Sequence, residues 1–456
     1  MKDQESNLLS ILHSEAPLGM KAGLELIVHL SLPAILAQVS SVVMQYIDAS
    51  MVGRLGANAS ASIGLVTSTT WLFGGLIGAI TAGFTVQVAH KVGAKDEEGA
   101  ARVAKYGLLF GFLSGVLVMI VALAISSRLP VWMGGEEAIR KDAYRYFLIY
   151  ALTLPVHQLL YLAQGMIQCS GNIRLPSIMN VVMCVLDVLF NALLIPILGV
   201  AGAALGTSIS EILIMLIMLY LLLWKTPSLS FLNRRIRAWK LFIKEEVPRA
   251  FSIGLPVAAE NVIMGLAYVA FTRIVSPVGT IAVAANSFGI TAESLCYMPG
   301  YGISIAATTI IGQSLGAARR DLARRFAFMT VFLGMIFMAV TGALMYLLAP
   351  QMMAILTPDE RIRALGVTIL RIEAFAEPLF GASIVASGVF RGAGETFLST
   401  LINLISTWCI RIPLAAYLAG IYGLPGVWTA MCIELCIRGI FYLIRLFRWK
   451  GGRRAL

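Results

Sequence analysis

Charge is scarce in this chain. Of its 456 residues only 13% are Asp, Glu, Lys or Arg, about half the usual share, while 59% are apolar and the mean hydropathy is +0.84. No polar stretch is long enough to form a separate soluble domain. The six cysteines (Cys169, Cys184, Cys296, Cys409, Cys432 and Cys436) make no CxxC and no disulfide framework, and fall mostly inside apolar runs, as small buried apolar residues do. There is no Walker motif, no GxGxxG before a helix, no HExxH and no metal-spaced Cys/His cluster. ATP-driven transport by this chain alone is thereby excluded, and we expect neither an enzyme nor a bound cofactor or metal. The formal charge of +11 sits in short segments between hydrophobic runs rather than on one face, so nucleic acid is not an expected partner. The N-terminal MKDQESNLLSILHSEAPLG is polar and mixed, unlike a signal peptide, which leaves targeting to the first membrane run.

What is present in excess is long apolar runs. A membrane-spanning helix needs roughly 20 apolar residues, and twelve candidates read as 26–52, 61–88, 103–126, 143–168, 174–196, 200–224, 250–274, 281–311, 326–348, 364–390, 396–418 and 424–447. Lys and Arg concentrate after the even-numbered runs (Lys91, Lys95, Arg102 and Lys105; Arg174; Lys225 to Arg249; Arg319, Arg320, Arg324 and Arg325; Arg391) and in the C-terminal tail. The positive-inside rule makes those segments cytoplasmic, with both termini on that side of a prokaryotic plasma membrane. The expected organisation is a cytoplasmic N-terminal segment 1–25, an N-lobe 26–224, a cytoplasmic interlobe linker 225–249, a C-lobe 250–447 and a basic tail 448–456. Within 224–250, basic residues mixed with Trp239, Leu241, Phe242 and Ile243 suit an interfacial amphipathic helix, and equally a solvated linker.

The lobes are copies of one another. Leu32-Pro33 matches Leu255-Pro256, Gly56 matches Gly279, and TVQVAHKVGA (85–94) matches TTIIGQSLGA (308–317), all offset by 223 residues. The same offset holds at Pro155/Pro378, Gly165/Gly388, Gly171/Gly394 and Asn180/Asn403, and GVAG (199–202) meets GLPG (423–426) one residue further on. The fold class is therefore an all-α polytopic membrane protein, with twelve transmembrane helices in two pseudo-symmetric six-helix bundles related by an axis along the membrane normal. Transporters of this plan bind substrate between or within the halves. The positions equivalent to Asp48 and Asp187 are Phe271 and Ile410, so both buried acids belong to the first half alone and the chemistry is placed in the N-lobe.

An ionisable residue inside a membrane helix is a functional-site hypothesis by default. In the first run Gln38, Ser41, Gln45 and Asp48 recur at i, i+3, i+7 and i+10, on one helical face, with Met44 nearby as a candidate cavity residue and Pro33 as a candidate bend. In the fifth run Asn180, Cys184, Asp187 and Asn191 recur at i, i+4, i+7 and i+11. Asp48, Asp187 and Asn191 stand at similar depth, so the two polar faces are expected to meet. Two carboxylates in a dry pocket cannot both ionise cheaply, which puts exchange of one proton near physiological pH. Alternatively the carboxylates, with Asn191, Asn180, Thr207 and water, offer hard oxygen ligands to Na⁺. Glu260 and Arg411 are the second-lobe candidates, whereas Glu211, Glu293, Glu373, Glu377, Glu434 and His157 read as structural polar residues.

Five stretches, QYIDASMVGRLG (45–56), GLIGAITAGFTVQVAHKVGA (75–94), IQCSGNIRLP (167–176), FNALLIPILGVAGAALGT (190–207) and SGVFRGAGET (387–396), together resemble the MATE (multidrug and toxic compound extrusion) transporters over almost the whole chain. The resemblance implies a V-shaped pair of bundles that exports amphipathic, often cationic, drug-like compounds in exchange for H⁺ or Na⁺, embedded in lipid and acting as a monomer. Asp48 stands where the family has its helix 1 acid and Pro33 where it has a helix 1 bend. Met264 and Phe380 occupy the places of the NorM-like acids, which favours a DinF-like, N-lobe mechanism. DinF-like relatives carry Asn then Asp four residues apart in helix 5; this chain has Asp187 then Asn191. A flippase for lipid-linked saccharides is the rival reading, and it would need more mid-helix basic residues than Arg411.

Overall fold

A computed structural model describes residues 19–231 and 239–452, and every element among them is helical. The helices are α1 (Met20–Gly53), α2 (Ala57–Gly93), α3 (Glu97–Ser126), α4 (Glu137–Cys169), α5 (Arg174–Leu198) and α6 (Val200–Lys225) in the first half. The second half holds α7 (Phe242–Val278), α8 (Thr280–Gly316), α9 (Arg320–Leu356), α10 in two pieces (Glu360–Glu373 and Glu377–Gly392), α11 (Thr396–Tyr422) and α12 (Leu424–Arg448). Eleven of the twelve are long and apolar enough to cross a membrane. The exception is α10, read from sequence as one run over 364–390. It breaks at Ala374–Ala376 because Pro378, in the first turn of the second piece, has no backbone N–H and its ring clashes with the carbonyl one turn earlier. Pro33 does not break α1, which runs through it unbroken.

The internal repeat reappears in backbone geometry. Gly56 and Gly279 enter α2 and α8 at φ of 111° and 120°, and Gly199 and Gly423 enter α6 and α12 at 60° and 62°. More telling are Lys95 and Ala318, repeat mates and the two non-glycine residues with positive φ (57° and 58°) among those described. Each ends its helix with the same pair of bonds, Asp96 N to Lys91 O and Arg319 N to Ser314 O, with Lys95 N to Val92 O and Ala318 N to Leu315 O beside them. That left-handed helix stop satisfies carbonyls that would otherwise be orphaned.

By packing, the described residues fall into two compact units, one of Ser40–Ala258 and one of 19–39 with 259–452. In the first unit the start of α7 is fastened to α2 and α3. Phe242 is fully buried, stacked on Phe84 at 6.0 Å and tilted against Tyr106 at 5.4 Å. One turn on, buried Glu246 accepts from Arg102 Nε (2.8 Å) and Nη2 (2.6 Å), and its carbonyl accepts from Gln87 Nε2 (2.9 Å). Phe242 thus packs in a core rather than lying on a membrane surface, as the 224–250 composition had suggested. Arg234, Arg235 and Arg237 of that segment, residues 1–18, and Arg453 and Arg454 of the tail lie outside the described residues. In the second unit the core forms around fully buried Trp428, whose Nε1 donates to Asn286 Oδ1 (2.9 Å).

Candidate functional site

The buried stripe of α5 runs Ser177, Cys184, Asp187, Asn191 and Ile195, a helical spacing that turns its polar groups inward while Val185, Leu189 and Leu193 face outward. Asn191 is fully buried, and its Nδ2 donates both to Asp48 Oδ1 of α1 (2.9 Å) and to Asp187 Oδ2, one turn earlier on its own helix (3.1 Å). One amide therefore ties together two carboxyls from different helices. Asp187 is 1% exposed and Asp48 is half-buried, so the pair is shielded on one side and accessible on the other. Asp48 and the Thr207 hydroxyl of α6 both face Asp187. The close approach of α6 depends on Gly206, where any side chain would collide with Asn191 Oδ1 and with the α5 backbone.

The same wall of the unit carries a second polar pair. His157 Nδ1 of α4 lies 3.2 Å from Glu211 Oε2 of α6, and the imidazole stacks on Tyr161 at 4.9 Å. Tyr146, on α4, is within electrostatic reach of Asp48, Asp187 and Glu211. Tyr146, Tyr150, His157 and Tyr161 recur at i, i+4, i+11 and i+15, and Thr207 and Glu211 at i and i+4. That periodicity was the signal for these neighbours, of which side-chain type alone had assigned His157 and Glu211 to structural roles.

Of the other candidates, Gln38, Ser41, Met44 and Pro33 are half-buried and Gln45 is exposed; no hydrogen bond joins Gln45 to the acids among the described residues. Asn180 is half-buried and stands seven residues before Asp187, about 10 Å along the helix. Its repeat mate explains the separation. In the second unit Asn403 Nδ2 donates to Glu260 Oε1 (2.6 Å), Thr400 Oγ1 to Glu260 Oε2 (3.1 Å), and Tyr442 Oη to Asn403 Oδ1 (3.1 Å). Both units thus tie an acid to an Asn 143 residues later, but the first uses Asn191, eleven residues beyond the place equivalent to Asn403. Arg411, re-aimed by the π turn Ser406–Arg411, lies over the Phe271 ring (4.7 Å) and against Met431 Sδ, apart from the Glu260 cluster's hydrogen bonds. No group of three or more His, Cys, Asp and Glu side chains arranged to hold a metal ion occurs among the described residues.

A family model described as MatE matches this chain twice, over residues 33–193 and again over 256–417. The chain belongs to the MatE family. The two matches start 223 residues apart, the period found in the sequence. This MatE chain is 24% identical over 438 residues to the "Probable multidrug resistance protein NorM" of Thermotoga maritima, covering 94% of this chain and 93% of that protein. It is 28% identical over 459 residues to that of Pseudomonas aeruginosa (94% and 90% covered), and 24% over 431 residues to "Probable multidrug resistance protein YoeA" of Bacillus subtilis (92% of each). Among solved structures it is similar to a mutant of the Vibrio cholerae MATE transporter VcmN, at TM-score 0.88, 18% identity and coverage of 94% and 97%. It is equally similar in fold to a MOP superfamily transporter of Pyrococcus furiosus, at TM-score 0.88, 21% identity and coverage of 96% and 97%. MatE proteins are transporters rather than enzymes, and this one is a multi-span helical membrane protein.

Proposed function

We propose that this MatE chain is a secondary multidrug antiporter that exports amphipathic, often cationic compounds in exchange for H⁺ or Na⁺, coupled through Asp48 and Asp187. The observation that carries the reading is the Asn191 bridge, at 2.9 and 3.1 Å, between two carboxyls contributed by α1 and α5. A single amide holds the acids close whether or not a proton is shared between them, and in a site of low dielectric full ionisation of both is strongly disfavoured. A cationic substrate and a proton are therefore alternative ways to balance the same charge. Either ion finds acceptors here, because Asp187 Oδ1 and Asn191 Oδ1 are buried oxygens with no hydrogen-bond partner among the described residues. Energy comes from the ion gradient, each charge moved across 100 mV supplying about 2.3 kcal/mol.

We place both termini on the cytoplasmic side of the plasma membrane, on the distribution of Lys and Arg. Lobes 26–224 and 250–447 act as the two halves of a monomer, and the charge-exchanging site lies in the first. The test is ethidium export from pump-deficient cells making equal amounts of wild type and Asp48→Asn, with an uncoupler in one arm and sodium withdrawn in another. Wild type exports the dye until the uncoupler is added, and Asp48→Asn does not. Export by Asp48→Asn at the wild-type rate refutes the mechanism, and loss on sodium withdrawal alone assigns Na⁺ as the ion.

A further inference from the structure

We propose that the second unit carries a binding site for one anionic phospholipid, in a groove between the start of α11 and the end of α12. The groove, of about 560 Å³, is walled on one side by Leu398, Leu401, Ile402 and Ile405, which recur at i, i+3, i+4 and i+7 and so form one stripe of α11. Phe441, Ile444 and Arg448, at i, i+3 and i+7, form the facing stripe of α12. Leu398, Leu401, Ile405, Phe441 and Ile444 are exposed, on two helices long and apolar enough to cross a membrane. Lipid tails cover such a face in a bilayer, so an acyl chain suits the walls.

The charge at the end of the groove selects the headgroup. Arg445 lines it but is already committed: Nη1 donates to Ser399 Oγ (2.7 Å), Nη2 to the Glu395 carbonyl (3.0 Å), and the guanidinium lies 3.6 Å from the centre of the Phe390 ring. The Glu395 carboxylate, at 3.4 Å, offsets its charge. Trp449 lines the same end, 6% exposed, with Nε1 donating to Glu395 Oε1 at 3.5 Å. Arg448 differs from both. It is exposed, and its guanidinium has no hydrogen-bond or ion-pair partner among the described residues. A free guanidinium at the end of an apolar groove matches a phosphate that carries acyl chains. Its fork of N–H groups takes two phosphate oxygens while a chain lies along the stripes.

The internal repeat separates the apolar wall from the charge. Leu175, Ile178, Met179 and Val182 of the first half are equivalent to the α11 stripe, and all are apolar. By the 224-residue offset of the GVAG and GLPG turns, the equivalents of Arg445 and Arg448 are Leu221 and Trp224. Both halves thus keep the lipid-facing stripe, and the second alone adds arginines to it. Covering the stripe with hydrocarbon does not require them; holding a phosphate does.

The test is native mass spectrometry of the purified full chain, titrated with phosphatidylglycerol or with phosphatidylcholine of the same acyl chains. Wild type holds one phosphatidylglycerol more tightly than it holds phosphatidylcholine. Arg448→Gln removes the charge-assisted bonds, so it weakens phosphatidylglycerol roughly tenfold and leaves phosphatidylcholine unchanged. Leu401→Trp fills the groove and weakens both lipids. Lys225→Gln removes an exposed cation at the end of α6, in the other unit, and changes neither. Glycerol phosphate, a headgroup without chains, does not displace the bound lipid. Equal affinity for the two lipids, unchanged binding in Arg448→Gln, an equal loss in Lys225→Gln, or displacement by glycerol phosphate overturns the proposal. Arg448 is exposed and unpaired, so its replacement leaves the fold intact; should Leu401→Trp fail to fold, the Arg448→Gln and glycerol phosphate arms decide. None of these readouts involves drug or coupling ion, so the site stands or falls apart from the antiporter reading.

Discussion

Asn191→Leu is the sharpest probe of the site, because Leu nearly matches the shape of Asn while removing both donors that hold Asp48 and Asp187 together. The two bonds, 2.9 and 3.1 Å, end on a fully buried amide. A hydrogen bond to a charged group contributes about 1.5–3 kcal/mol and one to a neutral group about 1 kcal/mol. With one proton shared by the acids, one bond of each kind is lost, for a total of about 3 kcal/mol against the ionised pair. The ionised pair is the state that accepts a cation, so ethidium affinity should fall by roughly a hundredfold. The assay is fluorescence titration of purified protein at alkaline pH, where proton competition is weakest. Asn180→Ala serves as the control, since Asn180 stands about 10 Å from Asp187 along α5, and it should leave the affinity unchanged. If Asn191→Leu binds ethidium within about threefold of wild type, a change below 1 kcal/mol, the bridge does not set cation binding and the reasoning fails.

Gly206→Ala puts a methyl into Asn191 Oδ1 and the α5 backbone; overpacking of this kind costs about 1–3 kcal/mol, and both the melting temperature and the ethidium affinity should drop. Arg102→Ala strands Glu246 in a buried environment and should cost about 3–5 kcal/mol of stability, read by thermal unfolding in detergent, whereas replacing both partners by Met should recover most of it. Asp96, in the turn between α2 and α3, caps α3 by accepting from Gly99 N (2.8 Å) and pairs with Lys91 (2.9 Å). Partial burial pushes its carboxyl up, but the bonds from Lys91 and Gly99 outweigh this and hold it below the usual carboxylate range. A depressed group stabilises above its unfolded value and loses that contribution as pH falls through the folded one. Asp96→Ala should therefore cost about 0.5–1 kcal/mol at pH 7, with the gap to wild type closing below about pH 4 in melting curves.

How much of this was legible in advance differs from element to element. Eleven spans and the repeat could be read directly, because the bilayer demands long apolar helices and duplication preserves turn glycines whose φ other residues adopt only with strain. The α10 break was missed because its apolar residues run through it uninterrupted. Pro378 alone did not mark a stop, since Pro33 and Pro155 sit inside unbroken helices. Asp48, Asp187 and Asn191 were legible as inward faces. Asn180 was grouped with them by the same periodicity, but periodicity reports a face and not a depth.

The order of residues by itself determined that this is a duplicated bundle of membrane helices with unmatched acids in one half, because hydrophobic run length, periodicity and a constant offset are properties of a single strand of text. Only the folded chain decided which partners those acids have. Asn191 meets Asp48 across α5 and α1, and His157 meets Glu211 across α4 and α6, while Gly206 of α6 lets that helix approach Asn191 of α5. A shift of one turn, about 5.4 Å, would leave every pattern in the sequence intact and break each of those contacts.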